Sequence, residues 1–200
     1  MATTKSKAAG PERIPVVILF AETRGFTRTS DMLDPAVVLA RISEFFALVQ
    51  TAVEQHGGVV RNVLNDNLVA SFASKANAQQ AVKAAQAIQR EFAVFEESWE
   101  RDYGIRAAVA IGLHAGDAVI GTIGKPVADQ LLIIGDSVSI AERLLHRARA
   151  GEFVLSESVM AGLTAGDFTL DTEELPPLVI ARREPIRLFG VLRDTRLDFT

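Results

Sequence analysis

The order of apolar periodicities along this chain predicts an α+β domain built as β-α-β-β-α-β, with a further helix and extra strands toward the C-terminus. Three observations carry that expectation. The run Val16 to Phe20 is β-branched and apolar throughout, two long stretches show helical apolar spacing, and pairs of short apolar runs are separated by turn residues. With 200 residues, 48% of them hydrophobic, the chain can enclose one good-sized core. One domain over residues 14–193 is expected, with residues 1–13 and 194–200 as terminal tails.

Taken in order, residues 1–13 are rich in Ala, Thr, Lys and Gly and have little to bury, so the fold is expected to begin near Pro15. Val16 to Phe20 reads as a strand buried on both faces that stops at a carboxylate, Glu22, followed by Gly25. Strand, acid and glycine loop form a common cradle for metal and phosphate: the acid can ligate Mg²⁺, and the glycine lets backbone N–H groups approach an anion. Asp34 then caps a helix opened by Pro35, in which Val38, Ile42, Phe45, Val49 and Val53 make one apolar stripe that ends at Gly57-Gly58. Val59 to Leu64 and Leu68 to Phe72 form a hairpin around Asn65-Asp66-Asn67, which puts a second acid, Asp66, at its tip. From Ala76 to about Glu100, Ala81, Ala85, Ile88, Phe92 and Phe95 mark a second long helix.

Ile105 to Leu113 and Ala118 to Ile123 are expected as strands about a turn at Ala115-Gly116-Asp117, which completes a ferredoxin-like pattern: an antiparallel sheet with two helices on one face. A polar loop, Gly124 to Asp129, leads into Leu131 to Ile134 and the turn Gly135-Asp136-Ser137. Val138, Ala141, Leu144 and Leu145 then line a short amphipathic helix whose other face carries Arg143 and Arg147, with Arg149 just beyond; Arg147 and Arg149 are assigned to surface charge. Phe153 to Leu155 is a strand, Ser156 caps a helical turn, and Phe168–Leu170, Leu178–Ile180 and Ile186–Leu192 are further strands.

Composition excludes several functions. A formal net charge of −4 gives no basic field for a nucleic-acid backbone, and there is no aromatic RNA-binding strand motif, so a ferredoxin-like RNA binder is disfavoured. Without cysteine there is no disulfide, thiol nucleophile or Cys-type zinc site, and His56, His114 and His146 lack metal-ligand spacing. His114 is assigned a structural place beside its strand. No apolar run approaches the roughly 20 residues of a membrane span and no signal peptide is evident, so a cytoplasmic chain with no membrane partner is expected.

Four segments carry a joint signal: FAETRGFT (20–27), LNDNLVASF (64–72), GLHAGDAVIGTIG (112–124) and IIGDSVSIAERL (133–144). In this order and spacing they resemble the class III adenylate/guanylate cyclase homology domain, over roughly Pro15 to Val191. The resemblance implies a ferredoxin-like core with C-terminal additions, and a homodimer with its sites between subunits. It also implies cyclisation of a nucleoside triphosphate to a 3′,5′-cyclic nucleotide and pyrophosphate, assisted by two divalent metal ions, Mg²⁺ or Mn²⁺. By position, Glu22 and Asp66 would hold the metals together with the Thr23 carbonyl. Gly25, Phe26 and Thr27 would form the phosphate loop, Arg143 would stabilise the transition state, and Arg182 would supply a C-terminal cation to the phosphates.

The chain departs from the family at four positions. Glu22 replaces an aspartate, which keeps the charge and adds a methylene of reach. The base-reading positions are Asn62 and Leu132, so neither the lysine with aspartate or threonine of adenylate cyclases nor the guanylate cyclase pair is present, and the preferred base is left open between ATP and GTP. Ser139 stands in place of the transition-state asparagine; loss of one such donor can lower the rate by about 10²–10³. Two readings follow: an active nucleotide cyclase in intracellular signalling, or a cyclase-fold domain without turnover that serves as a dimerising, regulatory or nucleotide-binding module.

Overall fold

The computed structural model describes residues 12–25, 31, 33–64, 66–121 and 132–193. Eight strands form one sheet: β1 (Glu12–Arg24), β2 (Val59–Leu64), β3 (Asn67–Phe72), β4 (Ala108–Gly121), β5 (Leu132–Ile134), β6 (Glu152–Ser156), β7 (Glu173–Leu178) and β8 (Ile186–Leu192). Their spatial order is β2-β3-β1-β4-β6-β8-β7, with β5 paired to β4. The first four strands make the expected antiparallel ferredoxin-like unit, and β6 extends it by pairing parallel to β4. Among the described residues there are four helices: α1 (Pro35–Gln55), α2 (Asn77–Tyr103), α3 (Asp136–Arg147) and α4 (Glu157–Ala165).

β1 is an interior strand between β3 and β4 and is buried on both faces because both faces are covered. Val17, Leu19 and Ala21 join the larger core with α1, α2 and α4, while Val16, Ile18 and Phe20 point to the opposite face and pack under α3. The two-helix layer of the sequence reading is therefore only one side of the sheet. That side is anchored by fully buried aromatics: Phe92 meets Phe45 and Trp99 edge-on, with ring centroids 5.8 Å and 5.4 Å apart. Each such side chain contributes about 1.5–3 kcal/mol by leaving water.

The helix ends follow the signals in the sequence. Asp34 Oδ1 accepts from the Ala36 amide at 2.8 Å with Pro35 opening α1, and Gly57, at φ 76°, lets the chain turn away after Gln55. Gly104, at φ 66°, ends α2 in the same way. By length and mean hydropathy α1 could cross a membrane, contrary to the expectation that no segment could. Here Phe45, Leu48, Val49, Ala52 and Val53 of α1 lie in the core.

Other expectations are corrected. Ala115-Gly116-Asp117 is no turn: β4 runs straight through it, because β1 extends from Glu12 to Arg24 and supplies antiparallel partners along the whole length, with Pro15 opposite Asp117 and Val16 opposite Gly116. For the same reason the fold begins before Pro15, and Glu22 lies inside β1 and not at its end. Phe168–Leu170 forms no strand; Phe168 and Leu170 pack against the larger core instead. The strand placed at Leu178–Ile180 lies at Glu173–Leu178, where Pro176-Pro177 are tolerated because β7 is an edge strand with an irregular register. Ser156 precedes α4 without capping it, its hydroxyl being engaged by His114. The loop Gly124 to Asp129 lies outside the described residues.

Candidate active site

The strand alternation that puts Val16, Ile18 and Phe20 on the α3 face carries Glu22 and Arg24 onto the same face, where Glu22 is 14% exposed. Thr23 points the other way and is buried. Gly25 follows at φ 81°, a left-handed conformation suited to a glycine; Phe26 and Thr27 lie outside the described residues. Asp66 sits in the turn between β2 and β3. Because Glu22 pairs in register with Asn67, the residue after Asp66, the hairpin tip closes beside the last residues of β1.

The two carboxylates feel each other. Burial pushes the Glu22 carboxyl above its ordinary value; the Arg24 guanidinium pulls it down, and the charge of Asp66 adds to the rise. Arg24 makes two bonds in opposite directions: Nη1 donates to Glu22 Oε1 at 2.7 Å, and Nη2 donates to the Leu145 carbonyl at 2.8 Å. Leu145 belongs to the last turn of α3, so a cation fixed in β1 caps the negative end of that helix.

Oxygen donors of this kind suit a hard divalent cation. Beside the two carboxylates, the side-chain oxygen of Asn67 is buried and has no hydrogen-bond partner, which is the signature of a place for an ion or a water. The residues present therefore fit Mg²⁺ or Mn²⁺, with Arg24 holding one oxygen of Glu22. Among the described residues no three His, Cys, Asp or Glu side chains gather as a ready-made metal cage.

The other predicted residues stand apart from this pair. Ser139 and Arg143 occupy the exposed face of α3, one turn from each other, opposite the buried Ile140, Ala141, Leu144 and Leu145. The start of α3 is fixed to β4 by Ser137, whose Oγ donates to the Asp117 carbonyl at 2.9 Å. Its later turns lie directly on β4 because position 112 is glycine: a Cβ there would run into the backbone of Ala141 and Leu145. Leu132 is half-buried in β5, opposite Gly121. Asn62 lies just past an irregularity in the β2–β3 register, and its Oδ1 accepts from the Val63 amide at 2.9 Å, leaving the amide NH₂ as its remaining polar group. Arg182 is exposed, at φ 64°, between β7 and β8, while its neighbour Arg183 is tied to Asp136 at the start of α3.

The structure thus brings Glu22 and Asp66 together. Among the described residues it gives neither carboxylate a hydrogen bond or ion pair with Ser139, Arg143, Leu132 or Arg182. Arg24, Asn67 and Gly112 were not singled out from the sequence. The i, i+2 spacing of Glu22 and Arg24 in a strand was a usable signal, whereas Asn67 and Gly112 depend on strand register and helix placement.

Residues 11–185 match the family model described as the adenylate and guanylate cyclase catalytic domain. An adenylate cyclase of Anabaena cylindrica is 27% identical over 183 residues, covering 88% of this chain and 36% of its own length. Adenylate cyclase 1 of Rhizobium meliloti is 29% identical over 137 residues, 66% of this chain and 20% of that protein. The chain therefore spans about a third or less of these relatives. In three dimensions it is similar to the adenylyl cyclase CyaB from P. aeruginosa, with a TM-score of 0.84 at 19% identity over 94% of this chain and 98% of that one. It is also similar to an adenylate/guanylate cyclase/hydrolase from Silicibacter pomeroyi, with a TM-score of 0.74 at 27% identity over 92% and 100% of the two chains. With the family model matching residues 11–185, most of the chain, and the fold shared with solved cyclases, the chain belongs to the adenylate and guanylate cyclase catalytic domain family.

Proposed function

We propose that this domain cyclises a nucleoside triphosphate, ATP or GTP, to a 3′,5′-cyclic nucleotide and pyrophosphate in intracellular signalling, acting as a cytoplasmic homodimer. The observation that carries the reading is the convergence of Glu22 and Asp66, from distant parts of the sequence, beside the last turn of α3. The ribose 3′-oxygen attacks the α-phosphorus, the bond to the β-phosphate oxygen breaks, pyrophosphate leaves, and the hydroxyl proton is lost. Glu22, Asp66 and the Thr23 carbonyl would hold two divalent ions. Bound there, Mg²⁺ or Mn²⁺ supplies charge neutralisation of the triphosphate and a lowered hydroxyl pKa.

The chain's own residues do the rest. Backbone amides of Gly25, Phe26 and Thr27 would receive phosphate oxygens, and Arg182, which has no ion pair among the described residues, would extend a cation to them. Arg143 faces solvent on α3 and would meet the developing phosphoryl charge across the two-fold interface, with Ser139 one turn away as a short hydroxyl donor. The amide NH₂ of Asn62 and the apolar side chain of Leu132 would form the base pocket.

A second reading, a domain of this fold that binds nucleotide without turnover, is favoured by Leu132, which offers the base no polar group, and by Ser139. Incubation with each of the four NTPs and Mn²⁺ or Mg²⁺, followed by mass spectrometry, decides between them. Cyclic product is expected, abolished in Arg143→Ala and raised through kcat in Ser139→Asn. Silence of the parent and of Ser139→Asn with every NTP gives the domain the binding role.

A further inference from the structure

Asn67 opens β3 directly after Asp66 and is the antiparallel partner of Glu22, so the two side chains leave the same face of the sheet, where Phe20 pairs with Val69 under α3. Its Oδ1 is sealed from solvent and accepts no hydrogen bond. Buried acceptors are almost always satisfied by protein, by ordered water or by an ion. The carboxylates that register and sequence put beside it, Glu22 and Asp66, are themselves acceptors when ionised and cannot satisfy it. The nearby cation is directed elsewhere, with the two Nη atoms of Arg24 on Glu22 Oε1 and the Leu145 carbonyl. An unmatched neutral oxygen next in register and sequence to two carboxylates is a donor set suited to a divalent cation.

We propose that Asn67 Oδ1 is a third, neutral oxygen ligand of the divalent-metal site formed by Glu22 and Asp66; the inference rests on the metal-binding reading above and extends it. The chemistry agrees: an amide oxygen is a hard donor of the kind that Mg²⁺ and Mn²⁺ take alongside carboxylates. An amide oxygen adds a ligand without adding a third negative charge to a pair of carboxylates that already repel. It also gives a reason for asparagine, a poor strand former, at this position of β3.

The test is calorimetric titration of the full chain with Mn²⁺ alone, comparing the parent with Asn67→Leu, Asn67→Asp and Asp66→Ala, together with the Tm of each protein without metal. Asn67→Leu, similar in size and lacking the oxygen, is expected to weaken Mn²⁺ binding about tenfold. Its metal-free Tm should be unchanged or higher, since an unsatisfied acceptor has been removed. Asn67→Asp is expected to tighten Mn²⁺ binding by a similar factor and to lower the metal-free Tm through carboxylate repulsion. Unchanged Mn²⁺ affinity in both Asn67 variants, with affinity lost in Asp66→Ala, overturns the ligand role of Asn67 and leaves the carboxylate pair in place. Unchanged affinity in Asp66→Ala as well removes the metal site itself and the proposal with it.

Discussion

His114 shows how one side chain couples the fold to pH. It lies on the α3 face of β4, 8% exposed, with Nδ1 at 2.8 Å from Ser156 Oγ. Ser158 Oγ lies 2.9 Å from Ser156 Oγ and donates to the Ala115 carbonyl at 2.8 Å. Only one orientation of protons satisfies that chain: His114 Nδ1–H donates to Ser156, Ser156 to Ser158, and Ser158 to the carbonyl. Burial lowers the His114 pKa from 6.5 to about 4, with Asp136 opposing weakly. As pH falls below 6.5 the unfolded chain takes up a proton that the folded chain refuses until about 4, so stability is lost across that window, by about 3 kcal/mol in all. Denaturant midpoints measured from pH 7 to 4 should show this slope in the parent and lose it in His114→Gln; an identical slope in both would mean that other groups cause it. Glu22, Asp66 and Arg143 could be named as candidates from the sequence because their neighbours form motifs, and the structure brings the first two together. Asn67 could not, since its significance comes from the strand opposite.

At the scale of elements, α3 is the piece whose placement is most demanding. Its docking rests on Ser137 at one end, the Arg24 bond to the Leu145 carbonyl at the other, and the bare backbone of Gly112 between. Gly112→Ala puts a methyl group into the helix backbone, so α3 must lift from β4. The expected loss is about 1–3 kcal/mol in chemical denaturation. Because α3 carries Ser139 and Arg143, any cyclase activity should fall as well, and full stability with full activity in Gly112→Ala would mean that α3 does not lie against β4 as described. Both long helices and the β2–β3 hairpin were legible in the sequence because their caps, stripes and turn residues agree with one another. The turn expected at Ala115-Gly116-Asp117 was not, because turn-forming residues inside a long strand look like turn residues anywhere until thirteen residues of β1 are known to run alongside.

For the whole molecule, the position of the predicted residues argues for more than one copy. Glu22 and Asp66 gather beside the end of α3, while Arg143 and Ser139 face outward from it, so under the proposed function the site would be completed by the outward face of a second chain. Light scattering at tens of micromolar protein, with nucleotide and metal, should give twice the chain mass; a monomer mass there would sink the shared-site arrangement. The sheet order has a further consequence, for the way the chain is made. β1 is the first strand of this sheet to be synthesised and carries the continuous apolar run VVILFA, yet both of its neighbours, β3 and β4, come later, and the second is finished only at Gly121. At translation rates of about 5–20 residues per second, the segment VVILFA waits roughly 5–20 s for its last partner. Until then at least one of its edges stays open, a strand of the kind that chaperones hold and aggregates recruit, so residues buried deep in the finished fold are also a hazard while it is being born.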